Sequence, residues 1–226
     1  MCTHPKTVSC PEDLTPLFLD AEKQMGDFFS KIEHTPEHGT LTISGERYIL
    51  ARAATFSVEL RKLLEREYGR VAAEMLAYNL GRVAGIKDAE FFKDKLDLAQ
   101  GVMALCAGPV HFAYSGWAYV NILPESSPSS DEDFYLVYDH PYSFEAEAYK
   151  NEGIEAERPV CYMNAGYSSG WCQVAFGVEL MAREITCRAN GDERCLFVMG
   201  HRSNFFDYIA DAEERYGKLD LTASDD

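Results

Sequence analysis

Cys187 and Cys195 flank an Asn190-Gly191 pair, and this arrangement constrains the fold more than any other stretch of the chain. Asn-Gly is a strong turn signal, so Glu179 to Arg188 and Arg194 to Met199 are expected to pair as a hairpin. Paired strands run about 5 Å apart, close enough for both thiols to reach one ion. Glu184 joins them if its strand bends at a bulge, and Cys161 would arrive from the preceding helix and pin it to the sheet. Three thiolates and one carboxylate fill a tetrahedral Zn²⁺ shell with no open position, which marks a structural site and not a hydrolytic one. The plain alternative is a set of reduced core cysteines, because free Cys packs as a small hydrophobe. That plain reading is the one given to Cys106 and Cys172. Cys2 and Cys10 lack a CxxC spacing and are not expected to bind metal.

Seven cysteines, an odd number, fit full disulfide pairing badly. The opening Met-Cys-Thr-His-Pro-Lys lacks the apolar core of a signal peptide, and no apolar run approaches the ~20 residues of a membrane span. The chain is therefore expected in the cytoplasm, where structural disulfides are rare. A formal net charge of -16 argues against nucleic acid or an anionic membrane as direct partner, since both need a basic surface. At 226 residues and 46% hydrophobic the chain can bury the core of one large domain.

The expected fold class is α+β, helices laid against an antiparallel sheet. Residues 1–40 read as a lead-in that could serve as a dimerisation arm. Leu41 to Leu50 reads as a hairpin turning at Ser44-Gly45, and helices are expected over about 55–68, 70–85 and 88–100. The aromatic and β-branched run Val110 to Leu123 reads as a strand interrupted near Gly116, with Phe134 to Tyr138 as its antiparallel neighbour. A short helix over 142–150 and a longer one over 159–176 follow. In the longer helix Gly166 and Gly170 allow close packing. Ser203 to Tyr216 reads as a terminal helix, and Leu219 to Asp226 as a frayed tail.

Ala165-Gly-Tyr-Ser-Ser-Gly170 followed by Glu184-Ile-Thr-Cys-Arg-Ala-Asn-Gly-Asp-Glu-Arg-Cys195 resembles the 4-vinyl reductase domain. Ile43-Ser-Gly-Glu-Arg-Tyr48 through Ala84-Gly85 resembles the N-terminal activator segment of the XylR/DmpR-type aromatic-responsive regulators. The resemblance covers about residues 40–200 and is closest to modules fused to signalling kinases. It implies an activator segment over about 41–105, a 4-vinyl reductase domain over about 106–200 with a fold like vesicle-tethering subunits, and a coupling helix within 201–226. It also implies a homodimer, a structural zinc on Cys161, Glu184, Cys187 and Cys195, and an output kinase or ATPase, fused or in trans. In phenol-responsive relatives a His and a Trp contact the phenol hydroxyl. Those positions fall here on Phe112 and His140, so the pair is not retained, and His111 could substitute only if the register shifts by one.

A pocket for a small aromatic needs apolar walls and one or two placed polar groups. Phe112, Tyr114, Trp117, Tyr138 and His140, with His111, supply that chemistry on two strands expected to be neighbours, and His140 is the best polar contact. Ordinary aromatic core is the competing reading for each. Glu145 and Glu147 are expected to face solvent or cap the short helix. The function expected is ligand sensing, not catalysis. The rival, a tetrapyrrole-binding protein or vinyl-reductase-like enzyme, lacks a Gly-rich dinucleotide fingerprint that would supply hydride.

Overall fold

The computed structural model describes residues 4–217. Cys2 and the tail from Leu219 to Asp226, expected to fray, lie outside the described residues. The elements run β1 (Val8–Ser9), α1 (Thr15–Phe29), β2 (Ile32–Thr35), β3 (Thr40–Ile43), β4 (Glu46–Tyr48), α2 (Leu60–Tyr68), α3 (Arg70–Lys95), α4 (Val102–Ser115), β5 (Val120–Ile122), β6 (Tyr135–Asp139), α5 (Phe144–Asn151), α6 (Tyr162–Phe176), β7 (Leu180–Thr186), β8 (Leu196–His201) and α7 (Phe205–Tyr216). A five-stranded sheet has the order β1-β5-β6-β8-β7, parallel only between β1 and β5, and a separate meander has the order β2-β3-β4. The mixed α+β class expected from the sequence is the one observed. Among the described residues no helix is long and apolar enough to cross a membrane.

The β3–β4 hairpin turns at Ser44 and Gly45, both at positive φ, as a two-residue hairpin turn requires. Within the stretch read as a lead-in, α1 buries Phe18, Ala21, Met25 and Phe28 at helical spacing. It packs against α4, so the core begins ahead of residue 41.

The segment read as a strand from Val110 to Leu123 is a helix up to Ser115, ended by Gly116 in the left-handed region. From Ala104 to Phe112 every residue of α4 except Pro109 is buried. A helix buried on all sides loses the 3.6-residue polarity rhythm and its β-branched content then reads as strand. Only Val120–Ile122 is strand, antiparallel to β6 as expected.

The two helices expected over 70–85 and 88–100 are one, because Gly85 is not a stop. A side chain on Gly81 or Gly85 would fall on the carbonyl oxygens of Met163 and Tyr167, and one on Gly166 or Gly170 on those of Tyr78 and Arg82. These four glycines let α3 and α6 meet backbone to backbone, the close packing expected of Gly166 and Gly170. α6 thus lies between α3 and the sheet, with α4 beside it. On the sheet's other face α7 sets Phe205, Ile209 and Ala212 against Val137, Ile185 and Val198.

Candidate functional site: a thiolate corner and an aromatic cavity

Cys161 is the residue on which α6 begins. Glu184 sits on β7 at a register shift between Glu184 and Thr186, the bulge that the spacing requires. Cys187 and Cys195 bracket a loop made of a short 3₁₀ turn, Arg188–Asn190, and Gly191 at φ 96°. The hairpin around Asn190-Gly191 is therefore present, with a wider loop than a two-residue turn. One ligand atom from each of these four buried residues lies within 4.8 Å of all the others.

The spacing suits a tetrahedral ion. Cys195 Sγ is 3.9 Å from both Cys161 Sγ and Cys187 Sγ, against about 3.8 Å for thiolates sharing a tetrahedral zinc at 2.3 Å. The backbone N–H groups of Arg188 and Ala189 donate to the sulfurs of Cys195 and Cys187, each at 3.4 Å. Ser143 Oγ stands 3.1 Å from Cys161 Sγ. Donors aimed at sulfur are what thiolates in a metal shell use to spread their charge. Glu184 accepts the Cys161 N–H through Oε2 at 2.8 Å, and its Oε1 is buried with no hydrogen-bond partner. An ion would satisfy that orphan oxygen. Burial pushes the Cys161 thiol and the Glu184 carboxyl well above their ordinary ranges. Hydrogen bonds from Cys161 and Cys187 hold Cys195 down to about 6. Four acidic groups packed this way are costly when charged and alone, and a divalent cation offsets that cost. The donor set can therefore hold a metal ion.

The second feature is a cavity of about 30 Å³ enclosed by α4, α6 and the sheet, lined by Leu105, Phe112, Leu136, Tyr138, Tyr167, Trp171, Cys172 and Met199 among others. Phe112 and Tyr138 are on its wall, as the sequence suggested. Tyr114 turns away and stacks on Phe29. Trp117 lies behind Phe112, stacked on it at 5.6 Å between centroids. His140 sits beyond Phe112 toward the thiolate corner, its ring 4.4 Å from that of Phe197. Burial lowers the pKa of His140 to about 3, so it is neutral, and both of its ring nitrogens lack partners. His111 is not on the cavity wall but lies behind it, packed on Phe92 and on Trp171. Burial lowers its pKa to about 3 as well, and its Nε2 has no partner.

Sequence reasoning missed Tyr167 and Trp171. Spaced i, i+4 and each following a glycine that faces α3, they fall one step round the helix, toward the cavity. Tyr167 Oη bonds Asp88 Oδ2 and His111 Nδ1, both at 2.8 Å, and Trp171 Nε1 donates to the Ala104 carbonyl at 2.8 Å. Glu145, expected at the surface or as a cap of its own helix, is buried. It accepts the Met163 and Asn164 N–H groups at 3.2 and 2.8 Å, so it caps α6 and not α5. Cys106 and Cys172 are buried core thiols apart from the cluster.

With this geometry the class of protein follows. Residues 27–125 match the XylR N-terminal domain family, described as activator of aromatic catabolism, and residues 142–201 match the 4-vinyl reductase domain family. The two matches follow one another in one run, and over them the chain is similar to aromatic-responsive regulators. Among individual proteins it is 27% identical over 180 residues to the phenol regulator MopR of Acinetobacter guillouiae, covering 80% of this chain and 32% of that one. It is 26% identical over 176 residues to the transcriptional regulatory protein XylR of Pseudomonas putida, covering 78% and 31%. The chain thus spans about a third of the length of these relatives. The crystal structure of the phenol-responsive sensory domain of the transcription activator PoxR with phenol shares the fold, with a TM-score of 0.71 at 23% identity over 90% of this chain and 98% of that one.

Proposed function

We propose that the chain is a cytoplasmic, homodimeric input module that binds a small hydrophobic, aromatic effector between α4, α6 and the sheet and reports its presence to an output ATPase or kinase, fused or in trans. The observation that carries this is an apolar cavity walled by Phe112, Tyr138, Tyr167 and Trp171, with the unpartnered nitrogens of His140 behind Phe112. A cavity of about 30 Å³ holds no benzene ring; a cavity known to take benzene measures about 150 Å³. The effector therefore enters by displacing aromatic side chains, Phe112 first, and that displacement exposes His140 to the effector's polar group. A tetrapyrrole would demand a far larger space.

On this reading Cys161, Glu184, Cys187 and Cys195 hold a structural Zn²⁺. The ion cross-links the start of α6, β7 and the loop before β8, and leaves no position for substrate. The activator segment (about 41–105) supplies the helices behind the cavity and the 4-vinyl reductase domain (about 106–200) supplies the cavity and metal. α7, within 201–226, couples to the output. Effector binding moves α6 against this fixed anchor, and only an effector that binds the moved state better can signal.

The test is calorimetric titration of metal-loaded protein with phenol, toluene and benzoate, paired with melting. Saturable binding of one of them, with a melting temperature that climbs with its concentration, is expected. Absence of binding across the panel would remove the effector reading.

A further inference from the structure

The chain has two tryptophans, both beside the cavity, and they are held differently. Trp171 lines the cavity wall, and its indole N–H is tied to the Ala104 carbonyl. Trp117 is off the wall and partly exposed, and no hydrogen bond among the described residues holds its indole. Its neighbours are rings: Phe112 stacked at 5.6 Å, Tyr167 tilted at 4.9 Å and Phe144 edge-on at 5.3 Å between centroids. Two of these, Phe112 and Tyr167, are cavity walls.

The same indole also lines a surface groove of about 300 Å³, with Ile49, Phe56, Leu80, Phe144 and Met163 around it. Of the residues lining this groove only Arg52 is charged. A concave apolar surface of this kind suits a flat aromatic ring, and about 150 Å³ is enough for benzene. Phe56 stands on a π turn, Thr55–Glu59, a backbone irregularity that recurs at functional sites. One side chain thus stands between the groove and the cavity wall. Phe112 cannot leave that wall while the indole is stacked on it, because close-packed rings leave no free volume between them. A larger groove of about 420 Å³ beside Cys161 and Glu184 offers no such link. None of its rings, Tyr78, Tyr162 and Phe205, is in ring contact with Phe112, Tyr138, Tyr167 or Trp171 among the described residues.

We propose that the groove over Trp117 is the mouth of the effector cavity and that Trp117 is its gate, an assignment that rests on the effector reading above. A molecule with a single aromatic ring settles in the groove against Phe56 and Phe144. The indole rotates aside, Phe112 follows into the place it leaves, and the cavity opens. Gating of this kind limits the rate of entry, so Trp117 sets how fast an effector arrives and how wide a ring is admitted.

Two buried thiols report on the gate. Cys172 lines the cavity, and Cys106 lies in the same core but off the cavity wall. The full, metal-loaded chain is labelled with methyl methanethiosulfonate for timed intervals, and each cysteine is read by peptide mass spectrometry. Burial pushes the Cys172 thiol up to about 12, so wild type labels slowly. Trp117→Ala speeds Cys172 labelling about tenfold or more and leaves Cys106 unchanged. Leu80→Trp, at an exposed position on the groove, fills the mouth without touching the core and slows Cys172 below the wild-type rate. Equal Cys172 rates in the three proteins, or Cys106 rising in step with Cys172, would overturn the gate. Calorimetry with phenol, toluene and benzoate on the same samples keeps the two readings apart. A Cys172 gated by Trp117 in protein that binds none of the three supports the mouth while sinking the effector proposal.

Discussion

At the start of α6 four side chains able to hold a metal ion converge, whereas further along the same helix Tyr167 and Trp171 close over a cavity too small for an aromatic ring. The difference is physical. Thiolates and a carboxylate cannot be buried in an approximate geometry, because every misplaced charge is a desolvated one. Their supporting donors, the N–H groups of Cys161, Arg188 and Ala189, are accordingly set by backbone. Apolar side chains carry no such penalty and collapse onto one another whenever space allows. The corner is thus the fixed point of α6 and the cavity its adjustable part.

Three changes probe that division, beginning with the largest effect. Stripping the metal with a chelator, or Cys187→Ser, removes a cross-link of a type whose apparent free energy is about 10–16 kcal/mol in small zinc domains. The melting transition should collapse or broaden, and metal content by elemental analysis should fall from one ion per chain toward zero. A variant that keeps wild-type melting without metal would show that the corner is ordinary thiol core. Phe112→Ala should cost about 3–5 kcal/mol in urea unfolding and, by enlarging the cavity, admit bulkier aromatics. If it binds the same effectors with the same affinity, Phe112 does not gate the site. Tyr167→Phe should cost about 1–3 kcal/mol, because it strands Asp88 and His111 together. A loss confined to a few tenths of a kcal/mol would show that water replaces the hydroxyl.

The same contrast explains what the sequence disclosed. The convergence of the four side chains was legible because a donor set able to hold a metal needs particular residue types at particular spacings: Cys187 and Cys195 around Asn190-Gly191, with Glu184 three residues before Cys187. The hairpins and α6 followed from turn residues and paired glycines. The cavity wall was half legible. Aromatic content located Phe112 and Tyr138, but no local rule distinguishes a strand from a helix buried on every side, so α4 read as strand and the partition of Tyr114 and His111 went with it. α1 went unread, although Phe18, Ala21, Met25 and Phe28 carry its helical spacing. Gly85 misled for a related reason. A glycine that ends a helix and one that lets two helices touch look alike until the partner is known.

The smallest effect expected concerns Glu145, which ties α5 to the start of α6. Burial raises its pKa to about 8, against the pull of the Asn164 and Met163 N–H groups and of the Arg61 guanidinium. In the unfolded chain the same carboxyl has an ordinary pKa near 4.5. Between these values the folded protein keeps a proton that the unfolded chain has released, so stability falls as pH rises through that window. The contribution is complete below about pH 4.5 and is lost as pH passes about 8. Glu145→Gln fixes the side chain in a neutral form that keeps one accepting oxygen for the two N–H groups, so it starts less stable but should lose less melting temperature than wild type between about pH 5 and 8.5. The clustered thiols are the same in both proteins, and the difference between the two curves cancels their share. Parallel curves would mean that the carboxyl is charged at neutral pH and that the start of α6 is held by an anionic cap beside the thiolate corner.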